Sequence, residues 1–289
     1  MIRRNVALLP PLRLSGWRKI SLGSWRPVGD SSVHGLIELD AEPALRYIEA
    51  CARASGQRVT LSHFGVRACG EVLRRHPEGN ALIRFGRVYP RVGCDVFMHA
   101  AADDAGRDLS GVVVRDADKK SVADIAAEVN PRVVAIKGQT DRTFSRVKGM
   151  MRLLPGLFSR LALDLTGFIL YSLNLWSPAL GAPRDSFGSM MLTNIGSLGL
   201  KMAFVPIAPY TRIPLVMAMG AAHDRPVVRG DQVVPGKVIC ACWTLDHRII
   251  DGVHAARMAK TLEMIFANPE AELGAPWVSA ASVLTAPGA

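Results

Sequence analysis

One segment constrains this chain more than any other. An apolar run, Val238 to Leu245, leads into Asp246-His247-Arg248-Ile249-Ile250-Asp251-Gly252 and then into an alanine-rich pattern. Side chains alternate along a strand, so Ile239, Ala241, Trp243, Leu245 and His247 point the same way. The histidine ends an apolar face, where a ligand can meet it at the rim. Gly252 permits a tight reversal, and a helix follows from about Val253 to Ala267, with Asn268-Pro269 as its stop. A histidine so placed can move protons near neutral pH, since an unperturbed imidazole titrates at about 6.5. Two other readings stand beside this one. His247 can be a polar residue at a strand end, or His247, Asp251 and His254 can form a metal row. Arg248 sets a cation beside that row, and no other His or Cys cluster supplies ligands.

The rest of the chain alternates between helix and strand patterns, as an α/β fold requires. Leu45, Ile48 and Ala52 line one face of a helix from Glu42 to Ser55, with Gly56 as its end. Thr60 can cap a second helix that stops before Pro77. Leu82 to Val88 reads as one strand. Gly111 to Arg115 is another, followed by a polar turn over Asp116 to Lys120. Ser121 can cap a third helix, with Pro131 just beyond its end. Later strands are expected at Ser189 to Asn194, Leu215 to Ala221 and Lys237 to Leu245.

Composition narrows the classes. Hydrophobic residues are 49% and charged residues 21% of the 289, which suits a packed globular chain. The net charge of +10 suits an anionic ligand, an anionic membrane or nucleic acid. Zinc-finger spacing, RNA-binding aromatics and long basic runs are missing, so a nucleic-acid role is not expected. Cys51, Cys69, Cys94, Cys240 and Cys242 match no disulfide framework and fit reduced, buried thiols in a cytoplasmic protein. Met1 to Pro11 lacks the apolar core of a signal peptide.

Phe144 to Trp176 stands apart, being rich in Leu, Met and Phe. Leu165 to Ala182 carries no charge, but Gly167, Asn174 and Pro178 interrupt it, and a span needs about 20 mostly apolar residues. Buried or interfacial helices are expected here. Arg146, Lys148, Arg152 and Arg160 also permit a helix lying on a membrane surface.

The segment Asp-His-Arg-Ile-Ile-Asp-Gly with its following helix resembles the catalytic core of the dihydrolipoyl acyltransferases of 2-oxoacid dehydrogenase complexes, relatives of chloramphenicol acetyltransferase. Further segments match in the same order. Ser15 to Ile20 looks like the family's opening Gly-x-Arg-Lys segment, and Thr60 to His76 like its second helix. Asp108 to Val129 looks like its central stretch, and Leu192-Thr193-Asn194-Ile195-Gly196 like Ile-Ser-Asn-Leu-Gly. Arg225 to Asp231 looks like a late hairpin.

The resemblance implies an α/β, chloramphenicol acetyltransferase-like fold with a mixed central sheet flanked by helices, assembling as a homotrimer and in many members as a larger cage. It implies that His247 is the general base and that Thr193 stabilises the tetrahedral oxyanion. Asp251 would be structural, paired with Arg18, while Arg248, Gly252 and Asn194 would support the loop and the site. Coenzyme A would be a substrate, with no metal, and the two catalytic side chains would come from different subunits.

The chain departs from the family pattern in two respects. The family-like core begins by about residue 15, after an extension over 1–14, and no lipoyl-lysine motif lies ahead of it. A lipoyl arm would therefore act in trans, from a lipoyl-bearing partner. An apolar insertion over about 142–186 interrupts the catalytic domain (15–270), and a tail over 271–289 follows. An assembly scaffold of the same fold, or a membrane-surface protein docking through the insertion, is the alternative to an enzyme.

Overall fold

The computed structural model describes residues 3–11, 31–101, 109–138, 140, 156–180 and 183–276. Arg18 and the Ser15–Ile20 segment lie outside them. In chain order the elements are β1 (Arg3–Arg4), β2 (Ser32–Asp40), α1 (Glu42–Ser55), α2 (Leu61–Arg75), β3 (Ala81–Arg84), β4 (Arg87–Pro90), β5 (Val96–Ala101), β6 (Leu109–Val114), α3 (Val122–Lys137), α4 (Gly156–Gly167), β7 (Leu175–Trp176), β8 (Met190–Asn194), β9 (Leu215–Met219), β10 (His223–Arg229), β11 (Gln232–Asp246), α5 (Gly252–Ala267) and α6 (Pro269–Leu273).

Seven strands form a mixed sheet in the order β10-β11-β9-β8-β5-β6, with β2 also paired to β11. The β5–β8 and β8–β9 pairs are parallel; the others are antiparallel. The fifteen-residue β11 is long enough to serve three partners: its first half pairs with β10, its second half with β2 on one side and β9 on the other. One face of the sheet carries Ile239, Ala241, Trp243 and Leu245, as the alternation predicts, and packs in one core with α1, α2, α3 and α5. The opposite face holds Cys240, Cys242 and Ala218 under Ala203 and Val205. An extended strap over 199–208 therefore crosses the side that the helices leave open. All five cysteines are buried and unbridged.

α2 explains how a helix can sit inside such a core. Its N-terminus is closed by a capping arrangement in which His63 Nδ1 accepts from the Thr60 backbone N–H at 3.1 Å. Its buried Glu71 is satisfied within the helix, accepting from Arg67, Arg74 and Arg75.

Two local expectations are corrected. Leu82 to Val88 is a hairpin, β3–β4, turned by Phe85 and Gly86 at φ 46° and 71°. Consecutive left-handed residues suit a tight hairpin turn, and the unusual Phe in the first position hid it. Pro131 lies inside α3, which runs on to Lys137. The hydrogen bond that proline cannot make would go to the Ala127 carbonyl; both residues are on the exposed side, where water can serve that oxygen.

Where it is described, the insertion runs from α4 through a wide π-turn over Phe168–Ser172 into the short strand β7, which pairs with β1. It is stitched to the N-terminal strand: Asn5 Nδ2 donates to the Leu170 carbonyl at 2.9 Å and Asn174 Nδ2 to the Val6 carbonyl at 2.9 Å. Phe158, Leu161, Leu165 and Phe168 form an exposed apolar row along it, with Phe85 against Phe168. Among the described residues no helix is long and apolar enough to cross a membrane.

Candidate functional site

His247 stands just past the end of β11, between two neighbours of that strand. Its backbone N–H donates to the Ser31 carbonyl at 2.9 Å, and the preceding Asp246 N–H donates to the Pro214 carbonyl at 2.8 Å. The imidazole Nδ1 lies 3.0 Å from the Ile250 carbonyl oxygen. A carbonyl can only accept, so Nδ1 carries a proton, and in the neutral ring Nε2 carries the lone pair. The loop thus fixes the tautomer that a general base needs.

The loop is held by its own charges. Arg248 folds back onto Asp246, with Nε at 2.9 Å from Oδ1 and Nη2 at 2.6 Å from Oδ2. The Ser31 hydroxyl donates to the same carboxylate at 3.1 Å, and this pairing raises the Arg248 pKa. Asp251 Oδ1 caps α5 by accepting from the backbone of Val253 and His254, each at 3.0 Å, and lies 2.6 Å from His254 Nδ1. Its expected pairing with Arg18 falls outside the described residues. Gly252 has open space where a Cβ would stand and no left-handed φ. The reversal is therefore made by the Asp246–Arg248 clasp and the Asp251 cap, and the glycine's conformational freedom is not used. The row His247, Asp251, His254 does not converge: His247 Nδ1 turns to the loop carbonyl while Asp251 and His254 pair with each other.

Arg212, on the segment that leads into β9, lies within electrostatic reach of Arg248. Arg212 is in the left-handed region at φ 56°, and desolvation together with the nearby Arg248 lowers its pKa. Arg212 and Arg248 beside His247 are balanced by Asp246 and Asp164, so the mouth carries charges of both signs.

Thr193 is half-buried near the end of β8, and the next residue, Asn194, secures the turn that follows. Asn194 Nδ2 donates to the Ser62 hydroxyl at 3.0 Å and its Oδ1 accepts from Ser197 N–H at 3.2 Å. Within one chain Thr193 and His247 do not meet. Thr193 pairs with Ala218, and Ala218 with Cys242. His247 lies five residues beyond Cys242, roughly 16 Å farther along the strand direction. The two side chains sit at opposite ends of the sheet.

An exposed apolar row joins these ends. Leu198, Leu200, Met202 and Phe204 all face solvent, between 43% and 71% exposed. The row starts beside Thr193 and ends where Phe204 packs on the His34 ring at 5.2 Å. His34 Nδ1 in turn lies 3.2 Å from the Thr244 hydroxyl oxygen, three residues before His247.

Residues 184–273, which contain both Thr193 and His247, match the family described as 2-oxoacid dehydrogenases acyltransferase (catalytic domain). The chain is 25% identical over 218 residues to the dihydrolipoyllysine-residue acetyltransferase component of the acetoin cleaving system of Bacillus subtilis, covering 75% of this chain and 43% of that protein. It is 27% identical over 224 residues to the dihydrolipoyllysine-residue succinyltransferase component of the 2-oxoglutarate dehydrogenase complex of Escherichia coli, covering 78% and 44%. The chain thus spans less than half the length of these relatives. Its fold is that of the cubic core of the pyruvate dehydrogenase multienzyme complex (TM-score 0.63, 18% identity, 92% of this chain and 100% of that chain). A probable dihydrolipoamide acetyltransferase from Listeria monocytogenes shares it as well (TM-score 0.61, 17% identity, 89% and 93%).

Proposed function

We propose that this chain is the catalytic core of a coenzyme A-dependent acyltransferase, moving an acyl group between coenzyme A and a thiol of the dihydrolipoyl type presented by a partner. The observation that carries this reading is the fixed tautomer of His247, with Nε2 as the proton acceptor, inside the matched family segment.

In the direction that forms coenzyme A, His247 Nε2 takes the proton of the acceptor thiol as its sulfur attacks the thioester carbonyl. The carbonyl π pair moves to oxygen, and the Thr193 hydroxyl donates a hydrogen bond to that oxyanion. Collapse re-forms the carbonyl and breaks the bond to the coenzyme A sulfur, which leaves with the proton from His247. A positioned general base contributes about 10²–10⁴-fold, and one oxyanion donor on the order of 3 kcal/mol. Thr193 and His247 lie at opposite ends of one sheet, so the working site takes each from a different copy of the chain. Burying the apolar row between copies supplies the driving force, and a head-to-tail contact whose rotation closes gives a ring; the homotrimer is the ring that the family resemblance implies.

His247→Ala should reduce transfer from acetyl-CoA to dihydrolipoamide by about 10²-fold or more, with particle mass unchanged by mass photometry. Undiminished turnover in that variant would remove His247 as the base, and absence of transfer in the wild-type protein would remove the acyl-transfer reading.

A further inference from the structure

We propose that His99 is a second hydrogen-bond donor to the oxygen that Thr193 serves, so that a hydroxyl and an imidazole N–H from adjacent strands hold the tetrahedral oxyanion together; this rests on the acyl-transfer reading above. β5 and β8 run parallel, with Val96, Phe97 and Met98 opposite Met190, Met191 and Leu192. Both strands continue, and the next rung sets His99 against Thr193. Residues on one rung of a parallel ladder point to the same face from strands about 4.8 Å apart. Two residues earlier, Phe97 and Met191 share a cluster on that face. On its other side His99 is opposite Gly111. A Cβ there would lie 2.3 Å from the Phe97 ring. The missing side chain lets Phe97 sit edge-on against the imidazole, with centroids 5.0 Å apart.

Among the described residues neither the Thr193 hydroxyl nor the His99 ring has a hydrogen-bond partner, and His99 Nδ1 is buried in that condition. The Thr193 hydroxyl and His99 Nε2 are not among the buried unpaired atoms, so both reach the accessible side of the rung, where a third polar group can meet them. Burial pushes the His99 pKa down to about 4, which keeps the ring neutral at physiological pH. An orphaned buried N–H is rarer than an under-used buried acceptor. The lone pair therefore belongs on Nδ1 and the proton on Nε2, the nitrogen on the open side of the ring. Such a donor holds a developing oxyanion while adding no full positive charge to oppose the His247 imidazolium.

The test uses the assembled protein with acetyl-CoA and dihydrolipoamide. His99→Phe keeps a ring and removes both nitrogens; it should lower kcat by about tenfold, with KM for acetyl-CoA within about twofold and particle mass unchanged. His99→Gln, which keeps a side-chain N–H, should recover most of that loss. The double variant with Thr193→Ala should lose less than the product of the single losses, since both groups serve one oxygen. Should His99→Phe fail to assemble, His99→Met takes its place against His99→Gln. Wild-type kcat in His99→Phe beside a loss of about 100-fold in Thr193→Ala would overturn this inference alone. Absence of acyl transfer in the wild-type assembly would instead overturn the acyl-transfer reading beneath it.

Discussion

Folding resists the protonation of His63 and His99. Burial, helped by Arg58, holds His63 down from 6.5 to about 4, and burial alone does the same to His99. The sign follows from linkage. Both groups are neutral in the fold and charge more readily unfolded, so the unfolded chain binds more protons between pH 6.5 and 4. Their contribution is whole above 6.5 and is lost as pH falls toward 4. His63 has a specific bond at stake, because its Nδ1 lone pair accepts from Thr60 and protonation removes it. Urea midpoints should fall from pH 7 to pH 5, and His63→Gln should flatten that fall by on the order of 1–2 kcal/mol while keeping a capping acceptor. An unchanged pH slope in His63→Gln would contradict this. The sequence marks His247 and Thr193 through their local motifs, whereas His99 follows no motif. Its place beside Thr193 comes from pairing two strands about ninety residues apart, which no local pattern encodes.

The helices and most strands could be read locally because caps and periodicity are local. Gly56 at φ 65° and the Ser121 cap close α1 and α3 as their residue types predict. The strap over 199–208 could not, since an extended segment with alternate apolar residues looks like a strand or a loop until its partner is known. Its seat on the sheet is set by Gly220. A Cβ there would stand 1.8 Å from the Lys201 carbonyl oxygen, and the Ala221 N–H donates to Leu200 O at 2.9 Å beside it. The clash is with backbone, so no rotamer change can relieve it. Gly220→Ala should cost about 1–3 kcal/mol in chemical denaturation. Gly252→Ala, where a Cβ meets nothing within 4 Å, should leave stability unchanged or raise it by up to about 1 kcal/mol. Equal effects of the two would mean that strap and sheet do not cross as closely as described.

At the scale of the molecule the sheet keeps Thr193 and His247 apart, and that separation sets the hardest test of the proposed function. Thr193 belongs to a parallel ladder and His247 to the end of an antiparallel one, so the same sheet sends them to opposite ends. The motif spacing in the sequence, fifty-odd residues, carries no trace of this. If each working site takes His247 from one copy and Thr193 from the next, two inactive variants can repair each other. A His247→Ala chain still offers Thr193, and a Thr193→Ala chain still offers His247. After subunit exchange in equal amounts, one half of one half of the contacts, roughly a quarter, carry both side chains in a head-to-tail ring. Turnover should return to about that fraction of the wild-type value. Adding Met202→Glu to both partners should abolish the recovery, because it sets a charge on the exposed apolar row that association would bury. Met202 faces solvent in the single chain, so its own fold should survive, as circular dichroism would verify. Mixed assemblies demonstrated by mass but showing no recovered turnover would place both catalytic groups in one chain, against the register of β8, β9 and β11.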